Sequence, residues 1–286
     1  MSYRIITDTC CDFPQHMYEE LNLTVVPLTL NFQGKEHNDF TEEFILSMYR
    51  GMRAGETGST AAVNPEGWAN AIESALCAGE DVLVLAFSSG LSATYQSAVI
   101  AADELAEKYP ERKIRVVDTL CASLGQGLFV WYACKKRDEG LSLDALFDWC
   151  EEHKLQLCHW FTVDDLVYLK RGGRVSAATA LVGTMLQIKP VMHVDDAGKL
   201  VKVSTCRGRK ASIEALAKKM EEDGFPGEND TVFICHGDCL EDAQKLEQLV
   251  KERCGVKNVL IYYTGAVIGS HSGPGTLALF YLGQKR

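Results

Sequence analysis

The chain has 286 residues, long for one compact unit and comfortable for two, with ordinary globular contents of 47% hydrophobic and 24% charged residues. Its formal net charge of −10 argues against a nucleic-acid binder, which shows a basic face or stripe. The uncharged stretch Thr119 to Cys134 falls short of the ~20 apolar residues that a membrane-spanning helix needs.

The first half alternates strand-like and helix-like segments. "YRIIT" reads as a strand and "PQHMYEELN" as a helix. "TVVPLTLNF" reads as a second strand, interrupted by Pro27, which points to an edge strand or an irregularity. "FTEEFILSMYRGMRAG" has a capping-type start, and "PEGWANAIESALCAG" has Pro65 in its first turn and a glycine past its end. A strand at 81–87, a helix at 92–109, the strand "KIRVVDT" and a helix at 120–138 follow. Strands alternating with helices predict a parallel sheet covered on both faces.

The second half changes pattern. "LSLDALFDWCEEHK" is amphipathic and suits a bridge between the two units. "LQLCHWFTV" reads as a strand and "LKRGGRVSAA" as loop. "KPVMHVDDAGKLVKVSTC" reads as a β-hairpin turning at Asp195 to Gly198. A helix at 209–222, the strand "TVFICHG", a helix at 240–253 and the strand "VLIYYTG" complete the reading. The fold expected is two-domain α/β. Residues 1–155 form an α/β/α unit with a mainly parallel sheet, and residues 156–286 a smaller two-layer α/β unit with a mixed sheet.

Eleven cysteines without regular spacing, behind an N-terminus with no signal-peptide core, read as free thiols in a reducing cytoplasm. "CEEHKLQLCH" and "CHGDC" lack zinc spacing, and strand alternation sends Cys158 and His159 to opposite faces, so no metal is expected. Monomer is the default state.

In open parallel sheets, ligands bind beyond the carboxyl ends of the strands. Three such loops qualify: "TDTCCD" with Asp8 and Asp12, "GSTAAVNP" with Ser59, Thr60 and Asn64, and "SSGLSATYQSA" with Ser92. Each alone is readable as a set of helix caps, and Asp8 and Asp12 suit capping of the helix at Pro14. Together they suit an anion at helix N-termini. Ser92 lacks the Gly-x-Ser-x-Gly frame of a hydrolase nucleophile, and no phosphate-binding Gly-Lys-Ser/Thr run exists. His271, in "IGSHSGPGT", suits a hydrogen bond to a carboxylate or a base for Ser92. Arg174 in "KRGGRVS" and Arg209 in "CRGRK" supply planar forks for a carboxylate, a phosphate or a partner surface.

"TDT…D", the loop ending "NPEGW", "SSGLSATYQSA", "LKRGGRVS", "GTMLQIKP" and "HSGPG", in this order over residues 6–275, resemble the DegV family of bacterial fatty-acid-binding proteins. The resemblance implies two α/β domains with one long-chain fatty acid between them, such as palmitate, stearate or oleate. Its carboxylate lies near the surface and its tail in an apolar tunnel. It implies a carrier, not an enzyme and without cofactor, that presents the acid to a separate fatty-acid kinase for acyl-phosphate formation and phospholipid synthesis. Anchored on Pro65-Glu66, the family's threonine falls on Thr60, while residues 61–64 depart from its Thr-Ser-Gln-Pro-Ser loop. Its Leu-Ser-Gly-Thr serine falls on Ser92, with Ala93 in place of glycine. Its histidine falls on His271, and the arginine of its Gly-Gly-Arg on Arg174. A carboxylate has about four lone-pair sites, which Thr60, Ser92, His271 and nearby amides suffice to fill. At roughly 0.8 kcal/mol per buried methylene, a tail of about sixteen carbons contributes ~10 kcal/mol gross. "VSAATALVGTMLQI" and "AVIG" are candidate tail contacts. The alternatives are an enzyme acting on a small carbonyl or ester substrate through Ser92 and His271, and a regulatory lipid sensor.

Overall fold

The structure is a computed structural model and describes residues 2–177, 179, 187–225, 227–284 and 286. Its first sheet is parallel, with strands β1 (Tyr3–Asp8), β2 (Leu23–Val26), β6 (Asp81–Ala86) and β7 (Ile114–Asp118) in the order β2-β1-β6-β7. Every residue of β6 is buried, and alternation divides its side chains between two cores. Val82, Val84 and Ala86 join helices α3 (Pro65–Cys77) and α4 (Thr94–Lys108). Leu83 and Leu85 join α5 (Leu124–Asp138) and α6 (Leu143–His153). Helix α1 (Gln15–Glu20) connects β1 to β2.

"TVVPLTLNF" is two strands in two sheets, which corrects the single strand expected. β2 ends at Val26, and after Pro27 the chain enters β3 (Thr29–Phe32) of a small antiparallel sheet with β4 (Lys35–His37) and β5 (Gly58–Ala61). Proline has no amide hydrogen for a ladder, so the break falls there. Helix α2 (Glu42–Arg53), capped by Thr41, packs Met48, Tyr49 and Met52 against this sheet.

The other large sheet is mixed. It holds β8 (Leu157–Thr162), β9 (Ile188–Val194), β10 (Leu200–Arg207), β11 (Thr231–His236), β12 (Asn258–Tyr263) and β13 (Leu277–Leu282), in the order β10-β9-β8-β13-β11-β12. The hairpin of β9 and β10 forms as predicted. β13 is an element that the sequence reading did not resolve, and it lies in the middle of the sheet, antiparallel to both β8 and β11. One face carries Trp160, Ile234 and Leu279 against α8 (Arg209–Asp223) and α9 (Leu240–Cys254). The opposite face carries Phe161, Phe233 and Phe280 into the core that contains Leu128 and Phe129 of α5. Helix α5 is thus shared between the two large sheets. α6 packs on α5, β6 and β7, on the first sheet, and so does not bridge.

Two stretches read as loops contain helix. Helix α7 (Val167–Arg171) takes in the first three residues of "LKRGGRVS", and Ala266–Ser272, His271 included, form α10. The glycine-rich turn begins only at Gly273, whose φ is +86°. The first half of "GTMLQIKP", residues 183–186, lies outside the described residues, and Ile188 to Pro190 open β9.

Candidate functional site

The loop "SSGLSATYQSA" leaves β6 and meets the tip of the β9–β10 hairpin. Ser88 Oγ donates to Gly198 O at 2.8 Å. A Cβ on Gly90 would come within 2.5 Å of Ala197 O, so only glycine permits this approach. Ser92 Oγ accepts from Thr94 N at 3.2 Å and lies 2.8 Å from Thr94 Oγ1. It is turned over the first turn of α4, at the mouth of a cavity.

That cavity holds about 950 Å³ of atom-free space, its mouth included. It lies between the two large sheets, under α10 and beside α5. Thr60, Ser92, Arg174 and His271 all line it, and all four are partly exposed. Thr60 sits on β5, which corrects its assignment to a loop, paired with Leu30. Its Oγ1 is 2.7 Å from Nε2 of His271. The His271 ring lies on Gly172 at the end of α7, where a Cβ would come within 2.3 Å of Nδ1. Burial, and secondly the Arg174 cation, hold the His271 imidazole down to about 4, so it is neutral near pH 7. Arg174 donates to Leu91 O at 3.1 Å and to Gly172 O, joining the Ser92 loop to α7.

The remaining wall is mostly hydrocarbon, including Phe87, Leu91, Phe161, Leu169, Val267 and Phe280. Of "AVIG", Val267 and Ile268 face the cavity, while Ala266 and Gly269 turn to α2. Residues 178 and 180–186 of the other predicted tail stretch lie outside the described residues. A few polar groups interrupt the wall, of which Ser123, Thr264 and Thr276 were not singled out from the sequence. Thr264 Oγ1 donates to Cys235 Sγ at 3.1 Å, and Ser123 Oγ donates to Asp12 Oδ2 at 2.5 Å. Burial pushes the Asp12 carboxyl up to about 7. These residues are adjacent only because α5, β11 and α10 converge, a juxtaposition without a local sequence signal.

Three expectations are corrected. Asp8 and Asp12 do not cap α1. Asp8 accepts from Cys10 N and Phe87 N, fastening the end of β1 to the end of β6, while Asp12 holds Ser123. Arg209 is not among the cavity residues: it donates to Asp242 Oδ2 at 2.8 Å, at the packing of α8 on α9. Nor do Ser92 and His271 form a nucleophile–base pair, since the hydroxyl is bonded to Thr94 and the ring nitrogen to Thr60. Among the described residues no cluster of three metal-ligating side chains occurs.

Comparison with known proteins matches this geometry to a family. The DegV family model matches residues 2–284. The chain belongs to the DegV family. A DegV domain-containing protein of Clostridium perfringens is 43% identical over 284 residues, 99% of this chain and 98% of the relative. A DegV family protein from Thermus thermophilus, solved for its fatty-acid binding, superposes with a TM-score of 0.88 at 32% identity, over 99% of this chain and all of that one. The Streptococcus pneumoniae Fatty Acid Kinase (Fak) B3 protein, loaded with linoleic acid, shares the DegV fold with a TM-score of 0.86 at 23% identity, over 99% of each chain.

Proposed function

We propose that this DegV protein binds one long-chain fatty acid between residues 1–155 and 156–286. Thr60, Ser92 and His271 hold the carboxylate, with the Arg174 cation beside it, and the tail lies along the face of the mixed sheet that meets α5. The protein then acts as a carrier that offers the exposed carboxylate to a separate fatty-acid kinase. The observation that carries this reading is the gradient along one cavity. Thr60, Ser92, Arg174 and His271 lie where the wall is partly exposed, and the buried remainder is mostly apolar, interrupted by Ser123, His159, Thr264, Ser272 and Thr276. A neutral histidine and two hydroxyls hydrogen-bond the carboxylate, and because Arg174 is partly exposed, its pairing with the carboxylate avoids the large desolvation cost of a fully buried ion pair. The tail supplies most of the affinity.

The test is mass spectrometry of an organic extract of the purified protein. A stoichiometric acid between myristate and stearate in length is expected, diminished in the Thr60→Ala/Ser92→Ala double variant. Addition of a fatty-acid kinase and ATP is expected to convert the bound acid to its acyl phosphate, with no turnover by the carrier alone. An empty extract together with no binding on titration would remove the lipid from this account. Ester hydrolysis lost in Ser92→Ala would favour the enzyme reading instead.

A further inference from the structure

The far wall of the cavity is defined by the strand register. Lining residues recur on one face of the mixed sheet: Ala278 and Phe280 on β13, with Thr276 just before it, and Phe161 and His159 on β8. Ala278 stands opposite Phe161, and Phe280 opposite His159. The next rung on that face, Leu282 opposite Leu157, is outside the cavity, with Leu157 fully buried in the core around α5. From Thr276 to Phe280 the strand advances roughly 13 Å. Along β8 and β13 the void therefore ends at the His159–Phe280 rung, while to the side it reaches Val194 and Leu200 of β9 and β10.

His159 is built as a wall. It is 1% exposed and meets Phe280 edge to face with ring centroids 5.3 Å apart. Its Nδ1 lies 3.0 Å from Leu157 O and so carries the proton, and its Nε2 accepts from Ala122 N at 3.3 Å. With both nitrogens engaged, the ring offers the cavity only carbon edge. It has no room to retreat, because a Cβ on Gly125 would come within 2.2 Å of Nε2.

The backbone behind this ring converges on one guanidinium. Arg286 donates to Leu157 O at 3.1 Å, Leu120 O at 2.7 Å, Lys154 O at 3.0 Å and Asp195 O at 3.3 Å, and to Cys121 Sγ at 3.2 Å. Leu157 O is also the acceptor of the His159 proton, and Cys121 precedes the amide that donates to the ring. Arg286 thus fixes both backbone partners of the imidazole.

We infer that the His159 ring is the stop that limits the length of acyl chain this cavity accepts, and that Arg286 is a positioning residue acting through it. The inference rests on the fatty-acid reading above.

The experiment titrates the purified, delipidated protein with laurate, myristate, palmitate, stearate, arachidate and behenate. In wild type, affinity is expected to climb with length and then to fall at the first acid whose methyl end meets the rung. In His159→Ala the limit moves to longer acids, and the first excluded acid gains about tenfold in affinity, the worth of two buried methylenes. His159→Leu, apolar and of similar bulk, keeps the wild-type limit. Arg286→Ala leaves the shorter acids unchanged and raises the first excluded acid a few-fold, a change of profile that general destabilisation does not produce. An unmoved limit in His159→Ala overturns the inference. Should that variant fail to fold, Phe280→Ala removes the other half of the rung, and unmoved limits in it and in Arg286→Ala overturn the inference equally. Wild type that binds none of the six acids defeats the fatty-acid reading itself. Wild type that binds them with an unmovable limit defeats only this inference.

Discussion

Gly172 and Gly125 stand at opposite ends of one cavity, each beneath a histidine ring. A Cβ would come within 2.3 Å of His271 Nδ1 at the first and 2.2 Å of His159 Nε2 at the second. The surroundings differ. His271 is partly exposed, and its Nε2 is bonded to the hydroxyl of Thr60 on the small antiparallel sheet. His159 is sealed, and both its nitrogens are bonded to backbone. The same local packing therefore serves an adaptable polar end and a fixed dry end. Side-chain partners with spare lone pairs can be re-partnered by a ligand, whereas a ring held by two backbone segments moves only if the fold moves with it.

The largest expected effect breaks that contrast open. Gly125→Ala forces atoms together inside a closed core that includes the Phe280 ring, and is expected to cost ~3 kcal/mol of stability. Gly172→Ala meets a ring that can swing toward solvent, and is expected to cost less than ~1 kcal/mol of stability while weakening fatty-acid binding about tenfold. Urea unfolding and ligand titration of both variants check this. If Gly172→Ala is the one that unfolds, the two ends are not different in kind.

A smaller effect sharpens the polar end alone. Thr60→Val removes the hydroxyl bonded to His271, and Ser92→Ala removes the one turned over α4. Each hydrogen bond to a charged carboxylate is worth ~1.5–3 kcal/mol, so each variant is expected to bind about tenfold more weakly or worse. Stability is expected to stay within ~0.5 kcal/mol of wild type, because both residues lie at the mouth. Fluorescent fatty-acid displacement and thermal melting separate the two quantities. A matched loss of both would make these hydroxyls structural caps.

Legibility from sequence followed the same division. The parallel sheet was readable because its strands alternate with helices of their own apolar spacing, α3 with a cap at Asn64. The polar end was readable because Thr60, Ser92, Arg174 and His271 sit in short motifs beside glycine, proline or capping residues. The far end was not. "LALFYL" follows the glycine-rich turn as an unbroken apolar run, with no alternation to mark a strand covered on both faces. His159 lies on β8 and Gly125 on α5, 34 residues earlier in the chain, and only the register of β8 with β13 brings the wall together. Arg209 shows the opposite failure: an arginine in a basic run looked available, yet Asp242 occupies it.

The smallest expected effect concerns protons. Burial and then the Arg174 charge hold the His271 imidazole down to about 4, against an ordinary value of 6.5. A carboxylate seated beside the ring offsets the arginine and adds an opposite charge, so the imidazole pKa rises on binding. A group with the higher pKa in the complex takes up protons as the ligand binds, and affinity then strengthens as pH falls. The effect belongs to the range in which the complexed ring protonates and the free ring does not, above about 4. Calorimetry between about pH 6 and 7.5, where carboxylic acids stay ionised, avoids the ligand's own titration. Repeated in buffers of different ionisation enthalpy, it is expected to give a fractional proton uptake that shrinks toward the upper limit. His271→Gln keeps a side-chain N–H donor and is expected to abolish the uptake while retaining part of the affinity. Zero uptake in wild type would instead mean that the ring stays neutral and serves the carboxylate through an Nε2–H, with Thr60 accepting no proton from it in the complex.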